Sequence, residues 1–484
     1  MGKMFCGIDI GTTNLKVVLI DGDGRPVAER ASPTPRIDRD GKVETDAVAL
    51  VAALERMIAE AWRASGHPRP LTAICAAGVG EDGLPVDRAL RPLDTAIPWF
   101  DRRAADQAAR LAQQFPTARR RTGLDFEPTR TAAKWLWLAE SENRRIPAKA
   151  DWIAVTDYPA ARWSMAPFIS ETLAARSGAY DIRERRWSGD LLAAARAPNL
   201  PPVVRAGQVV GHMRPGPLTA SGAASERTLI VAGGHDHPIA ASLIRRLAAD
   251  AIVDSLGTAE LIYAETDELS PGTTPEGALI RTVPILGRRG RSGRSGQTLM
   301  LVFEFAAALA PFREGGMLPE EFAQAARIPY PPAVAPWLPS ETAIHGLADT
   351  LRKDPLGRTY LLCRVIEGCG FLTRSVLAGL GDCGVRPGPV YVSGGWSRSD
   401  ALMSLRADAI GVALHRVDVP EQTAMGAALI ARDAVTATPA PALRDLATTR
   451  FSPDLDRAAI AAERFAASAR DFSRVWRPAP RPRS

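Results

Sequence analysis

One pattern occurs twice in this chain: an apolar strand, a Gly-Thr turn and a second apolar strand. The first copy is residues 5–21 (FCGIDIGTTNLKVVLID), and the second is residues 251–263 (AIVDSLGTAELIY). Two apolar runs around a short glycine turn are typical of a β-hairpin. One hairpin at the start of each half of the chain predicts an internal duplication of the fold.

The turns carry groups that suit a phosphate. Gly11 allows close approach of the backbone, and Thr12 and Thr13 offer hydroxyl groups. Successive N–H groups in a tight turn can form an anion site, and the nearby Asp9 could hold Mg²⁺ through water. For one turn alone, an ordinary surface hairpin is the alternative. The second turn, at Gly257, favours phosphate binding at both, because a cleft between related halves would bring them face to face.

Length and composition limit the class of protein. A chain of 484 residues predicts two domains, and 46% hydrophobic with 24% charged residues is typical of a globular enzyme. Lys and Arg exceed Asp and Glu by six, but they are scattered, which argues against nucleic-acid binding. Five cysteines without CxxC spacing indicate reduced thiols. No apolar run approaches membrane-spanning length. We therefore predict a cytoplasmic protein without membrane or nucleic-acid partners.

Two stretches of the first half suit a carbohydrate. Glu81 and Asp82 follow a buried-strand pattern over residues 71–78, at a strand end where α/β proteins usually bind ligands. They are acceptors for sugar hydroxyls or, alternatively, a charged solvent loop. Trp99 is followed in the sequence by Asp101 and Arg102. Its apolar ring could pack on a sugar, and the two charged side chains could bind the hydroxyl groups. A buried tryptophan at a strand end is the alternative.

Asp236 lies at a predicted strand-to-helix junction after two glycines. A carboxylate there is exposed and well fixed, as a general base needs to be. An N-cap of the following helix is the alternative, and both roles are compatible. The neighbouring His235 and His237 lack a third ligand at suitable spacing, so we predict no zinc site.

The second half ends in a strand–glycine–helix pattern. Residues 389–393 read as a strand that leads into Gly394 and Gly395, where a flat ring such as a nucleotide base could approach the backbone. The apolar spacing predicts helices over residues 300–310, 358–380, 400–410 and 423–432.

Four blocks in this order, residues 7–21, 233–241, 255–259 and 393–431, resemble the FGGY carbohydrate kinase family of the actin/Hsp70/hexokinase-like ATPase superfamily. The last block is the most specific and is similar to the adenosine-side segment of the family through Gly394, Gly395, Ala407, Asp408, Gly411, Glu421, Gly426 and Ala427. The resemblance covers nearly the whole chain. It implies an α/β fold of two duplicated actin-like (ribonuclease H-like) domains with a cleft between them. We place the domains at residues 1–245 and 246–435, followed by a tail with a helix at 436–484.

The resemblance also implies a role for each matching residue. Asp9 would organise Mg²⁺, Asp236 would be the catalytic base, and ATP would be the phosphate donor. The ATP and phosphate contacts would be Gly11, Thr12, Thr13, Gly257, Thr258, Gly394 and Gly395. The substrate contacts would be Glu81, Trp99, Asp101, Arg102, Asp236 and His237.

The activity implied is ATP-dependent phosphorylation of a small sugar, ketose or polyol; the assembly, including a homodimer, stays open. A catalytically silent sugar or nucleotide sensor on the same fold is the second hypothesis. Both Asp9 and Asp236 are present, which favours the kinase, because a sensor does not need a base.

Overall fold

The computed structural model describes residues 2–144, 146–147, 149–257, 259–267, 279–285, 296–303, 305–313, 318–327, 355–419, 421–438 and 440–476. Its strands are β1 Met4–Ile10, β2 Asn14–Asp21, β3 Pro26–Pro33, β4 Arg36–Arg39, β5 Lys42–Thr45, β6 Ala73–Gly78, β7 Gly83–Val86, β8 Asp151–Ala154, β9 Ile169–Ser170, β10 Tyr180–Asp181, β11 Arg186–Trp187, β12 Val203–Val204, β13 Val209–His212, β14 Leu229–His235, β15 Ile252–Leu256, β16 Glu260–Thr266, β17 Leu279–Thr282, β18 Gln297–Phe303, β19 Val390–Ser393, β20 Leu414–Val417 and β21 Thr448–Phe451.

The helices are α1 Ala47–Ala64, α2 Ala105–Gln114, α3 Arg119–Thr122, α4 Thr131–Glu140, α5 Tyr158–Ser164, α6 Glu171–Ala174, α7 Gly189–Ala194, α8 Pro217–Ala220, α9 Asp236–Leu247, α10 Phe305–Arg313, α11 Leu318–Arg327, α12 Pro355–Asp382, α13 Asp400–Ile410, α14 Gln422–Asp433 and α15 Leu455–Trp476. In the described ranges, two short 3₁₀ helices span Gly395–Arg398 and Pro441–Asp445.

The chain forms two compact units. The first contains Met1–Leu247, Arg281–Arg288 and Val419–Leu446, and the second contains Ala248–Ile280, Arg289–Asp418 and Ala447–Ser484. This division differs from the predicted bounds in two segments. The segment with α14 belongs to the first unit although it comes late in the chain, and Ala447–Ser484, predicted as part of a separate tail, belongs to the second unit. The predicted bounds followed chain order, whereas the units follow contacts.

The first unit is built on a six-stranded sheet of order β13-β14-β6-β1-β2-β3. Strands β1 and β2 pair as an antiparallel hairpin, while β1, β6 and β14 run parallel. Ile10 pairs with Gly78, and Gly78 pairs with His235. The carboxyl ends of three parallel strands are therefore level, and the chain leaves all of them at one edge of the sheet. Ligands of open α/β sheets bind at such an edge.

Helix α14 packs directly on β1. A Cβ atom at Gly7 would lie only 1.9 Å from the carbonyl oxygen of Ala424, so a side chain at position 7 would displace the helix. Apolar residues of α14 share a buried cluster with residues of the sheet, among them Phe5 and Val231. The close approach of helix and strand thus depends on glycine at this position.

The second sheet has the order β17-β18-β16-β15-β19-β20-β21. Strands β15 and β16 form an antiparallel hairpin, β16 pairs antiparallel with β18, and β15, β19 and β20 run parallel. The first sheet has the same order and directions in β3, β2, β1, β6 and β14. The predicted duplication of the fold is confirmed by this repeated topology.

The predicted helix over residues 300–310 is wrong in its first part. Residues 297–303 form β18, which pairs antiparallel with β16 along its whole length, and α10 begins only at Phe305. A short apolar run fits a buried strand as well as a buried helix, and the open edge of β16 decides between them. The proline-rich stretch 329–339 and the basic stretch 288–294 lie outside the described residues.

Candidate active site

Three carbonyl groups of the turn between β1 and β2 accept hydrogen bonds from Thr34 and Arg36. Thr34 Oγ1 donates to Gly11 O (2.8 Å), Arg36 Nη2 donates to Thr12 O (2.7 Å), and the Thr34 N–H donates to Thr13 O (2.9 Å). In a trans peptide the C=O and the N–H point in opposite directions. Because these carbonyls are bonded within the protein, the N–H groups of the residues that follow them point away from those partners, as an anion site in a tight turn requires. The phosphate contact of this turn stays a prediction.

Asp9 is buried at the end of β1, next to this turn. Burial and the negative charge of Asp236 raise the pKa of Asp9 to about 7, while Lys16 opposes the shift and Glu421 adds to it. Lys16 Nζ lies 2.6 Å from Glu421 Oε2 and 4.0 Å from Asp9 Oδ2. Two carboxyl groups, Asp9 and Glu421, thus share one lysine, and Asp236 adds a further negative charge near Asp9. The excess negative charge is one that a cation would balance.

Asp236 is the first residue of α9 and is half-buried. The backbone N–H of His237 donates to Asp236 Oδ1 (2.7 Å), and His235 Nε2 lies 3.3 Å from the same oxygen. In the part of the chain that the structure describes, Oδ2 accepts no hydrogen bond. One carboxylate oxygen is therefore anchored, and the other remains available to accept a proton.

His235 is buried behind Asp236. Burial, together with the positive charges of Arg176, His237 and Arg130, lowers the pKa of His235 well below its usual value. The imidazole is therefore neutral at neutral pH. A Cβ atom at Gly80 would lie 2.8 Å from His235 Cδ2 and 3.0 Å from Arg176 Cγ, so the absence of a side chain at Gly80 lets the ring and the guanidinium pack here.

Glu81 is buried and ion-paired. Arg130 Nη1 lies 2.7 Å from Glu81 Oε1, and Arg176 contacts the same oxygen. Burial alone would raise the pKa of Glu81, but the charges of Arg176 and Arg130 lower it below the usual value. The predicted role of Glu81 as a substrate contact stays a prediction, and any such contact would have to form beside two arginines.

Buried polar atoms without a hydrogen-bond partner cluster beside Glu81. In the described ranges these are Asp82 Oδ1, Arg176 Nε and Nη1, and His235 Nδ1. Burial raises the pKa of Asp82 to about 6, against the opposing charges of Lys134 and Arg36. Because buried polar groups are normally paired, this cluster marks a place that a polar ligand or water would complete.

Lys134 connects the two predicted sugar-side loops. Its buried Nζ donates to the carbonyl oxygens of Pro98 (2.8 Å), Ile97 (3.1 Å) and Glu81 (3.4 Å). These bonds fix the peptide just before Trp99. The indole Nε1 of Trp99 in turn donates to Thr12 Oγ1 (2.9 Å), and 41% of Trp99 is exposed. The alternative of a buried tryptophan is therefore wrong.

Asp101 and Arg102 differ in their surroundings. Arg103 Nη2 lies 2.7 Å from Asp101 Oδ2, and Arg103 Nη1 lies 2.6 Å from the buried Glu44. Asp101 is thus already matched by a cation, whereas Arg102 is exposed. Their substrate contacts stay predictions.

The second unit holds the other predicted nucleotide contacts. Gly394 has φ +86°, and a Cβ atom there would lie 2.3 Å from Leu256 O, so only glycine fits next to the end of β15. Gly395 begins the 3₁₀ helix that follows β19. Gly257 donates its N–H to Ala259 O (3.0 Å), and Thr258 lies outside the described residues. These roles also stay predictions.

Several residues of the candidate site were missed from the sequence. Thr34 and Arg36 hold the turn between β1 and β2, and Arg130 and Arg176 pair with Glu81, but none of the four belongs to a motif. Glu421 was noted within the last family block, without a role. Periodicity and turn chemistry are local signals, so they do not reveal partners distant in the chain.

Comparison with known proteins identifies the family. The model for "FGGY family of carbohydrate kinases, N-terminal domain" matches residues 4–242, and that for the C-terminal domain matches residues 301–434. The chain belongs to the FGGY family of carbohydrate kinases. The predicted family is thereby confirmed, and with it the fold class of two actin-like α/β domains.

Individual FGGY kinases align over most of this chain. A xylulose kinase of Escherichia coli is 26% identical over 92% of both chains, and a glycerol kinase of Rhodospirillum rubrum is 28% identical over 88% of both. The crystal structure of a gluconate kinase from Lactobacillus acidophilus has a TM-score of 0.80 at 19% identity and covers 98% of both chains. This structural similarity shows the shared fold.

Among the described residues, no helix is long and apolar enough to cross a membrane. No group of three or more His, Cys, Asp or Glu side chains is arranged to hold a metal ion within the same ranges.

Proposed function

We propose that this FGGY kinase transfers the γ-phosphate of ATP to a hydroxyl group of a small sugar, ketose or polyol. The observation that carries the proposal is the geometry of Asp236. Its Oδ1 accepts a hydrogen bond from the His237 N–H, and its Oδ2 is available. Asp9 and the turn between β1 and β2 lie at the same edge of the sheet as Asp236. A base beside an anion site is what phosphoryl transfer to a hydroxyl requires.

Asp236 Oδ2 would accept the proton of the substrate hydroxyl as its oxygen attacks the γ-phosphorus. The bond from phosphorus to the β,γ-bridging oxygen breaks, and ADP leaves with that oxygen. The N–H groups of the phosphate turn and the Thr12 and Thr13 hydroxyls would stabilise charge on the phosphates. We assign the remaining nucleotide contacts to Gly257, Thr258, Gly394 and Gly395.

Mg²⁺ fits the surroundings of Asp9. The carboxyl group is buried close to the negative charges of Asp236 and Glu421, and a divalent cation would relieve their repulsion. Mg²⁺ usually binds one or two carboxylates together with phosphates and water, so Asp9 would suffice as the protein ligand. When bound, the ion would neutralise charge on the phosphates.

The substrate side is proposed to include Glu81, Trp99, Asp101, Arg102 and His237. Trp99 offers an exposed ring, and the unpaired atoms of Asp82 and Arg176 would complement hydroxyl groups. Xylulose and glycerol, named for two relatives, are the first candidates to test. The cytoplasmic location and a homodimer stay predictions.

The test is an ADP-release assay over a panel of ketoses, aldoses, polyols and sugar acids, with the Asp236→Asn variant beside the wild type. We expect kcat to fall about 10²- to 10⁴-fold, the usual contribution of a general base. Binding of ATP should persist. Asp106→Asn, in the exposed first turn of α2, is the matched control. Wild-type turnover in Asp236→Asn would refute the role of Asp236 as the general base.

The sensor hypothesis predicts a different outcome. If a sugar of the panel binds but no phosphorylated product forms with any of them, the protein is a sensor and the kinase proposal fails.

A further inference from the structure

A hydrogen bond between Trp99 and Thr12 connects the proposed sugar-side loop to the proposed phosphate turn, which is the turn between β1 and β2. Trp99 lies in the loop assigned to the sugar, and Thr12 lies in the turn assigned to phosphate. The indole Nε1–H donates to Thr12 Oγ1 at 2.9 Å, although the residues are 87 positions apart. We propose that Trp99 is a positioning residue for the phosphate site: its N–H orients the Thr12 hydroxyl as a hydrogen-bond donor to the nucleotide. This inference rests on the proposed function.

The chemistry of a hydroxyl group gives the first argument. A threonine hydroxyl has one proton to donate and two lone pairs to accept. The indole N–H can only donate, so it occupies a lone pair of Thr12 Oγ1 and leaves the proton available. No residue of the described ranges accepts a hydrogen bond from this hydroxyl. The proton is thus free to point at an anionic oxygen.

The anchoring of Thr12 gives the second argument. Arg36 Nη2 donates to the carbonyl oxygen of Thr12 (2.7 Å) and so fixes the peptide, while Trp99 holds the side chain. The same guanidinium lies over the ring of Phe100, 5.7 Å from its centroid. Thr12 is therefore held at both its backbone and its hydroxyl by groups that also border the sugar-side loop.

The anchoring of Trp99 itself gives the third argument. Lys134 Nζ donates to the carbonyl oxygens of Ile97 and Pro98, immediately before Trp99. These bonds fix the backbone just before Trp99, so the position of this part of the loop does not depend on Thr12. Because 41% of Trp99 stays exposed, a sugar could pack on the ring without displacing the N–H from Thr12. The hydrogen bond to Thr12 would thus be present both with and without sugar on the ring.

The experiment is a double-mutant cycle on the full-length protein, with ATP affinity measured by calorimetry. Trp99→Phe keeps an aromatic ring but removes the N–H, and Thr12→Val removes the hydroxyl. We expect Trp99→Phe to weaken ATP binding about three- to tenfold, the value of one neutral hydrogen bond. In the Thr12→Val background the same change should have no further effect, because the partner is gone.

A matched control separates this role from general damage to the protein. Trp62 Nε1 donates to Arg69 O at the same distance, 2.9 Å, on a surface of α1 away from the turn. Trp62→Phe should leave ATP affinity unchanged. In the kinetic assay, Trp99→Phe should raise the KM for ATP more than the KM for the sugar, whereas a residue that served only as a sugar platform would do the reverse.

Two results would overturn the proposal: an unchanged ATP affinity in Trp99→Phe, or an equal loss in the wild-type and Thr12→Val backgrounds. These results are distinct from failure of the kinase function. A protein that shows the expected cycle but phosphorylates no sugar keeps the positioning role and loses the kinase assignment. If the protein is an active kinase but the double-mutant cycle shows no coupling between Trp99 and Thr12, only the proposed role of Trp99 is refuted.

Discussion

At the scale of single residues, the first unit buries several carboxyl groups that favour the protonated state. Burial raises the pKa of Asp9 to about 7, of Asp82 to about 6 and of Asp157 to about 7. Asp9 and Asp82 border the candidate site, where a cation or a polar ligand would change their surroundings. Asp157 is different, because both of its oxygens are satisfied within the protein.

Asp157 provides a test of buried ionisation by stability. Its Oδ1 accepts the Ser170 hydroxyl and its Oδ2 accepts the Ser170 N–H, both at 2.6 Å. The folded chain holds this proton up to about pH 7, whereas the unfolded chain releases it near the ordinary value of 3.8. Stability is therefore lost as the pH rises between these values, by on the order of 4 kcal/mol at 1.36 kcal/mol per pKa unit.

The Asp157→Asn variant cannot ionise at this position. Its amide oxygen can accept the Ser170 N–H, and its NH2 group can donate to the Ser170 hydroxyl oxygen. We expect its denaturant midpoint to rise relative to that of the wild type between pH 4 and pH 7, and the difference to stay constant above pH 7. Parallel midpoints of the two proteins over this range would contradict the assignment.

At the scale of elements, α14 approaches β1 so closely that a side chain at Gly7 would overlap its backbone. Sequence motifs placed the 393–431 block on the adenosine side, yet its last helix packs on the strand that carries Asp9. Glu421, just before α14, thereby lies 2.6 Å from Lys16 of β2. One helix thus contributes both to the core and to the charge balance of the candidate site.

Gly7→Ala tests this packing. The new Cβ atom would lie 1.9 Å from Ala424 O and 2.3 Å from Ala428 N, both backbone atoms that cannot rotate away. We expect the free energy of unfolding to fall by about 3 kcal/mol, the upper end for overpacked cores. Gly22→Ala is the control, since its nearest neighbour, Lys3 O, is 3.7 Å away. Equal melting temperatures of the two variants would show that α14 is not constrained by Gly7.

At the scale of the whole molecule, two sheets of the same five-strand topology follow one another in the chain, but the first unit is completed by a late segment. The buried cluster of Phe5, Val231 and Ile239 also contains Ala424, Ala428 and Leu429 of α14. A fragment that contains only the first half of the chain therefore lacks α14, which covers one side of its core.

We expect a fragment of residues 1–247 to bind a hydrophobic dye and to unfold without a cooperative transition, because the apolar face under α14 is uncovered. The same fragment joined through a flexible linker to residues 419–446 should regain a cooperative transition. Cooperative unfolding of the short fragment alone, measured by circular dichroism, would contradict this account.

The local signals of this chain determined the duplicated hairpins, the strand before Glu81 and the strand-to-helix junction at Asp236. Apolar periodicity and glycine turns are sufficient for this, because each depends on neighbours within a few residues. The prediction of a helix over residues 300–310 was wrong in its first part, because β18 forms by pairing with β16, whose residues are not neighbours in the chain.

Only the tertiary structure decided the surroundings of the predicted site residues. It placed α14 on β1, paired Glu81 with two arginines, and tied Thr12 to Arg36 and Trp99. Burial, charge and hydrogen-bond partners arise from segments that are distant in the chain and meet only on folding. For that reason the chain itself indicated a carbohydrate kinase with Asp236 as its predicted base, while the anchoring of the turn and of the base became visible only in the folded protein.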